Sequence, residues 1–148
     1  MTADGNNAPA PPLKSASVLI VEDQNFVREL LSRLLASLSV PKVRSVPTAE
    51  EALSELERDP AGIDVIFVDY ELPGMSGMHL IEKLRASPDS CLRDIAVVML
   101  TAHSDLGLYR DATRLGIAAF LVKPAGPAAL KSALEDALAG RRVSIPGD

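Results

Sequence analysis

A nearly unbroken apolar run, Val65-Ile66-Phe67-Val68, ends on a carboxylate, Asp69, and the chain then breaks at Pro73-Gly74. A short run without polar alternation suits a strand buried on both faces, and such strands belong to parallel sheets covered by helices on either side. Ser17–Val21 (SVLIV) and Ile95–Leu100 (IAVVML) have the same character, and Ala118–Val122 is a further short run. The run before Asp69 starts at Ile63, while Lys42–Val46 alternates polar and apolar as an outer strand does.

Helical periods fill the intervals. Phe26, Leu30, Leu34 and Leu38 recur every four residues, with Val27, Leu31 and Leu35 beside them, and Pro41 closes the segment. Thr48-Ala49-Glu50-Glu51 has the form of a capping box and opens a helix through about Arg58. Gly77 precedes a helix to about Ala86, and SPDSCLRD reads as a loop. A helix over Leu106–Leu115 is ended by Gly116, and Pro127–Ala139 carries Leu130, Leu134 and Leu138 on one face. Five strands alternating with five helices predict an α/β fold, a doubly wound five-stranded parallel sheet. A chain of 148 residues that is 47% hydrophobic suffices for one such domain. Residues 1–16, rich in Ala, Pro, Asn and Gly, read as a flexible lead-in, 17–139 as the folded unit and 140–148 as a C-terminal tail.

Charge and composition remove several function classes. The net charge is −5 with no basic run, which speaks against a nucleic-acid grip. No stretch approaches the roughly 20 apolar residues that span a bilayer, and the start lacks the basic and apolar regions of a signal peptide. Cys91 is the only cysteine, so neither an internal disulfide nor a cysteine metal site forms, which fits a cytoplasmic protein.

In a parallel sheet all strand ends share one edge. Glu22-Asp23 follow the first strand, Asp69 the third and Thr101 the fourth, and the fifth runs into Lys123-Pro124. Three carboxylates, a hydroxyl and an ammonium therefore converge. Carboxylates this close repel, and burial raises their pKa values unless a cation compensates. Mg²⁺ prefers such oxygen donors. With Lys123 and Thr101 facing phosphate oxygens, a carboxylate can serve as nucleophile in phosphoryl transfer.

Glu22-Asp23, Asp69 with its trailing LPGMSG, Thr101-Ala102 and Lys123-Pro124 together resemble the receiver domain of bacterial two-component response regulators, over about Val18 to Leu138. The resemblance implies a flavodoxin-like, receiver-type sheet and a role in signalling. It makes Asp69 the phosphoacceptor, with Thr101 and Lys123 contacting the phosphoryl group. It gives Mg²⁺ to Glu22, Asp23, Asp69 and the backbone carbonyl of Glu71. Thr101 and Phe120 become the switch pair, and Glu71 and His103 tune the lifetime of the phosphorylated state. The other histidine, His79, lies on a different segment, so no paired-histidine metal site is formed. Implied partners are a histidine kinase or phosphotransfer protein and an output protein that reads the surface near Leu106, Leu108, Tyr109 and the last helix, with homodimerisation left open. Nine residues follow Ala139. Taken as a whole protein, the chain would act through protein contact, as a self-phosphorylating switch without substrate turnover. Two alternatives stand beside this reading. One is a receiver used as a phosphate-independent docking or dimerisation module. The other is a Mg²⁺-dependent phosphohydrolase of the haloacid-dehalogenase type, although its nucleophile would belong after the first strand.

Overall fold

The computed structural model describes residues 12–102 and 106–143, the side chain of Leu106 apart. Its centre is a five-stranded, all-parallel sheet of β1 (Ser17–Val21), β2 (Lys42–Val46), β3 (Val65–Asp69), β4 (Ala96–Thr101) and β5 (Ala119–Val122), in the order β2-β1-β3-β4-β5. The helices are α1 (Asn25–Ser37), α2 (Ala49–Arg58), α3 (Gly77–Arg85), α4 (Ser90–Arg93), α5 (Leu106–Arg114) and α6 (Pro127–Leu138).

Alternation along each strand feeds two cores. Leu19, Val21, Ile66, Val68, Val97 and Met99 face one side, where α2 and α3 supply Leu56, Leu80, Ile81 and Leu84. Val18, Ile20, Val65, Phe67, Val98 and Leu100 face the other, closed by Leu31 and Leu35 of α1 and Leu130 and Leu134 of α6. Each fully buried Leu, Ile or Phe contributes about 1.5–3 kcal/mol. The apolar runs had to lack polar alternation because helices cover both faces.

Thr48 caps α2, its hydroxyl accepting from the Glu51 N–H and donating to the Glu51 carboxylate at 3.1 Å in each case. Ser76 caps α3 by accepting from the His79 N–H at 3.1 Å. At the amino edge of the sheet, Arg85 donates to the carbonyls of Leu115 and Ile95, both at 2.7 Å, and of Arg93 at 3.0 Å. This fork ties the end of α3 to the loops that enter β4 and β5.

Several expected boundaries move. The expected loop SPDSCLRD contains the one-turn helix α4, because Asp89 accepts from the Cys91 N–H at 2.9 Å and Leu92 is buried, so the described residues hold six α-helices rather than five. The third strand starts at Val65 and includes Asp69, which pairs with Leu100; Ile63 precedes it in the turn. Leu13–Ser15 form a 3-10 turn, with Leu13 packed on the α1/α6 core and Ala16 fully buried. At the other end the Val143 N–H donates to the Ile117 carbonyl at 2.9 Å, and Val143 packs on the opposite core. No helix among the described residues is long and apolar enough to cross a membrane.

Candidate functional site

The strand order reverses between β1 and β3, and in doubly wound sheets ligands bind outside the carboxyl ends at that point. Glu22 and Asp23 leave β1 there, and Asp69 is the last residue of β3. The sequence folds tightly around them. The Glu22 N–H donates to the Val46 carbonyl at 3.1 Å, and the Tyr70 N–H to the Leu100 carbonyl at 2.8 Å. Asp69 Oδ1 accepts from the Glu71 N–H at 3.1 Å, turning the chain away from the sheet. The turn continues through Gly74, whose φ of +75° lies in the left-handed region that favours glycine. It returns at Gly77, where α3 begins so close that an added Cβ would lie 2.3 Å from the Asp69 carbonyl oxygen.

Glu22 is fully buried and Asp69 is 4% exposed, while Asp23 is exposed. Lys123 Nζ spans the two buried acids, 3.0 Å from Glu22 Oε1 and 3.3 Å from Asp69 Oδ2. The second Glu22 oxygen accepts from the Gln24 N–H at 3.1 Å. Burial pushes the Glu22 carboxyl above its ordinary value, aided by the charge on Asp69 and opposed by the Gln24 N–H and Lys123. Burial likewise raises Asp69, helped by Asp23 and opposed by the Glu71 N–H and Lys123. For Lys123, burial lowers the pKa, but the bond to Glu22 and the charges of Asp69 and Glu22 outweigh it and hold the ammonium above its ordinary value. Glu22 and Asp69 thus share one lysine while Asp23 stands beside them, an arrangement short of positive charge.

A cation fits this shortfall. One carboxylate oxygen from each of Glu22, Asp23 and Asp69 lies within 4.8 Å of the others. Hard oxygen donors in such a group suit a divalent ion such as Mg²⁺.

Comparison with known proteins gives the family. Residues 18–135 match the response regulator receiver domain. The chain belongs to the response regulator receiver family. It is 33% identical over 124 residues to the transcriptional activator protein ExaE of Pseudomonas putida, covering 83% of this chain and 55% of the activator. It is 30% identical over 122 residues to chemotaxis protein CheY-3 of Vibrio cholerae, covering 82% of this chain and 91% of that protein. A solved structure of the Vibrio cholerae chemotaxis protein CheY4 superposes with a TM-score of 0.74 at 27% identity, over 82% of this chain and 98% of that one. The chain therefore spans little more than half of the activator and nearly all of the chemotaxis proteins.

In this receiver the fold brings Glu22, Asp23, Asp69 and Lys123 together, as the strand ends predicted. Thr101 closes β4 at 2% exposure, and its carbonyl accepts from the Lys123 N–H at 2.8 Å, joining two expected site residues through the backbone. Glu71 is exposed just beyond Asp69. Phe120 is half-buried on β5, with its ring 4.3 Å from that of Tyr109 on α5 at an interplanar angle of 46°. Leu108, expected on the outer surface, is buried. His103 lies outside the described residues.

Two further residues support the loops of the site. Arg28 Nη1 donates to the Glu22 carbonyl at 2.7 Å, and Glu50 Oε2 accepts from the Met75 N–H at 3.3 Å. Neither carries a sequence signal. Arg28 sits on a helix flank and Glu50 in a helix first turn, where charged side chains ordinarily face solvent. Beside Lys123, α1 and Pro124-Ala125 enclose an apolar cleft of about 200 Å³, with Phe26 on its rim 75% exposed.

Proposed function

We propose that this receiver is a phosphorylation-operated switch of a two-component or phosphorelay pathway, with Asp69 as phosphoacceptor. The observation that carries the reading is the buried Glu22–Lys123–Asp69 bridge beside exposed Asp23, at the point where the strand order reverses. Residues 17–139 carry the switch, with Leu13, Ala16 and Val143 packed onto the same cores.

An Asp69 carboxylate oxygen attacks phosphorus in a phosphohistidine, on a histidine kinase or phosphotransfer protein, or in a small acyl phosphate. As the new P–O bond forms, the P–N bond of phosphohistidine breaks and its electron pair returns to the imidazole nitrogen, which takes a proton; with an acyl phosphate the bond from phosphorus to the acyl oxygen breaks instead and a carboxylate leaves. Glu22, Asp23, Asp69 and the Glu71 backbone carbonyl would hold Mg²⁺, which supplies positive charge against the carboxylates and phosphoryl oxygens. Lys123 exchanges its contact with Asp69 for a phosphoryl oxygen, and the Thr101 hydroxyl donates to another. Glu71 and His103 govern water access and hence the lifetime of the acyl phosphate. The protein is its own substrate: phosphate leaves only by hydrolysis of phospho-Asp69, and no second substrate beyond the phosphodonor is acted on.

Phosphorylation adds about −1.5 to −2 charges. It favours the conformer in which Thr101 turns to the phosphoryl group and Phe120 follows, so that the balance of two states shifts. The Phe120–Tyr109 contact carries that change to the surface of α5, β5 and α6, where an output protein of the cytoplasm reads it. The test is intact mass after incubation with Mg²⁺ and acetyl phosphate, beside Asp69→Asn. One phosphate on the parent and none on the variant is expected. Continuous release of phosphate from a generic ester would favour a hydrolase. No phosphate from either acetyl phosphate or a kinase would leave a docking module.

A further inference from the structure

Arg28 lies one turn into α1, half-buried beneath the acidic loop. Its Nη1 donates to the Glu22 carbonyl at 2.7 Å, while Nη2 donates to the Asn25 side-chain oxygen. The Glu22 carbonyl belongs to the peptide unit that joins Glu22 to Asp23, so the guanidinium fixes the plane of that peptide. The remaining groups of Glu22 are already held: its N–H by Val46, one carboxylate oxygen by Gln24 and the other by Lys123. Asp23 is different, being exposed, and the peptide behind it sets the direction of the Cα–Cβ bond that carries its carboxylate. A charge-assisted bond at this length is among the stronger hydrogen bonds. The fork geometry of arginine lets one side chain hold the Glu22 carbonyl and Asn25 together.

We infer that Arg28 is a positioning residue for the cation site: by fixing the Glu22–Asp23 peptide it presents the Asp23 carboxylate to the same point as Glu22 and Asp69. This rests on the reading of those acids as the Mg²⁺ site. The guanidinium points at the carbonyl and not at the carboxylates, so it orients the acids without competing for the ion.

The experiment uses the full chain, the parent beside Arg28→Met and Arg28→Lys. Mg²⁺ affinity is measured calorimetrically, with no phosphodonor present, alongside thermal melting in the metal-free state. Loss of an outer partner of a metal ligand weakens binding about 10–100-fold. Arg28→Met is expected to lose at least about tenfold in Mg²⁺ affinity, while its metal-free melting, lowered by loss of the bond to Glu22, stays above the temperature of the titration. Its labelling by acetyl phosphate is expected to recover as Mg²⁺ approaches saturation. Arg28→Lys, whose ammonium cannot bridge Glu22 and Asn25 as the fork does, is expected to fall between. Parental Mg²⁺ affinity in Arg28→Met overturns this inference and leaves the site standing. A parent that binds no Mg²⁺ overturns both. Should Arg28→Met fail to fold, Arg28→Lys decides: intermediate affinity supports the role and parental affinity overturns it.

Discussion

Gly77 couples the fold to Asp69 most directly. A Cβ at that position would stand 2.3 Å from the Asp69 carbonyl oxygen and 2.9 Å from Val68 Cγ1. Even close carbon–oxygen contacts are about 3.3 Å, so Gly77→Ala requires a separation of roughly 1 Å. Neither neighbour is a flexible tip, because both belong to the end of β3. Overpacking of this kind costs about 1–3 kcal/mol. Alanine returns up to about 1 kcal/mol over glycine inside a helix, and less at this first position of α3. The net is a loss of about 1–2 kcal/mol. For a chain of this size that lowers the melting midpoint by about 2–8 °C. The same displacement moves Asp69 relative to Lys123, and a misplacement of about 1 Å can cost on the order of a hundredfold in rate. Circular-dichroism melting and the rate of labelling by acetyl phosphate read the two effects. Gly126→Ala is the clash-free reference, since a Cβ there meets nothing within 4 Å, and its own loss is confined to the weaker N-cap that alanine gives α6. A Gly77→Ala protein as stable as the parent, and labelled as fast, would refute the steric reasoning.

Three further outcomes follow from the charges. Burial raises Glu22 and Asp69 above the ordinary values of 4.5 and 3.8, so the metal-free folded state holds those protons more tightly than the unfolded chain. This contribution makes stability fall as pH rises above those values, and Asp69→Asn is expected to lessen the fall in urea midpoint between about pH 4 and pH 7. Lys123→Met strands two buried carboxylates; breaking a buried pair costs about 3–5 kcal/mol. Here about 2–3 kcal/mol is expected, because Lys123 is 22% exposed and either acid can take a proton, and the loss should shrink in urea titrations at lower pH. Glu55 behaves oppositely: bonds from Arg58 and then Arg44 hold its carboxyl below 4.5. Its contribution is present above that value and lost as pH falls through the folded pKa, so Glu55→Gln should unfold less steeply with acid than the parent in the same titration.

The sheet was legible because β1, β3 and β4 are buried on both faces, which leaves apolar runs that a surface helix or a loop would not show. Strand ends carried the site for the same reason, since a carboxylate directly after such a run has little room to be anything but edge chemistry. What escaped depends on contacts made far along the chain or by backbone. The capping bond of Asp89 turned a loop into α4. Leu13 and Val143 look like tail residues until the cores that receive them exist. Arg28 and Glu50 act on backbone groups, and no spacing in the sequence distinguishes them from solvated charges. The half-buried ring of Phe120 against Tyr109 likewise depends on how α5 lies beside β5.

If Asp69 takes and stores the phosphoryl group, the acyl phosphate can be trapped on it chemically. The parent, incubated with Mg²⁺ and acetyl phosphate, is reduced with borohydride, which converts an aspartyl phosphate to homoserine. Peptide mass spectrometry then locates the change. Homoserine at position 69, dependent on both Mg²⁺ and donor, is the predicted result. Homoserine at another acid, or none at 69 in a chain whose intact mass shows one phosphate, would mean that Asp69 is not the phosphoacceptor.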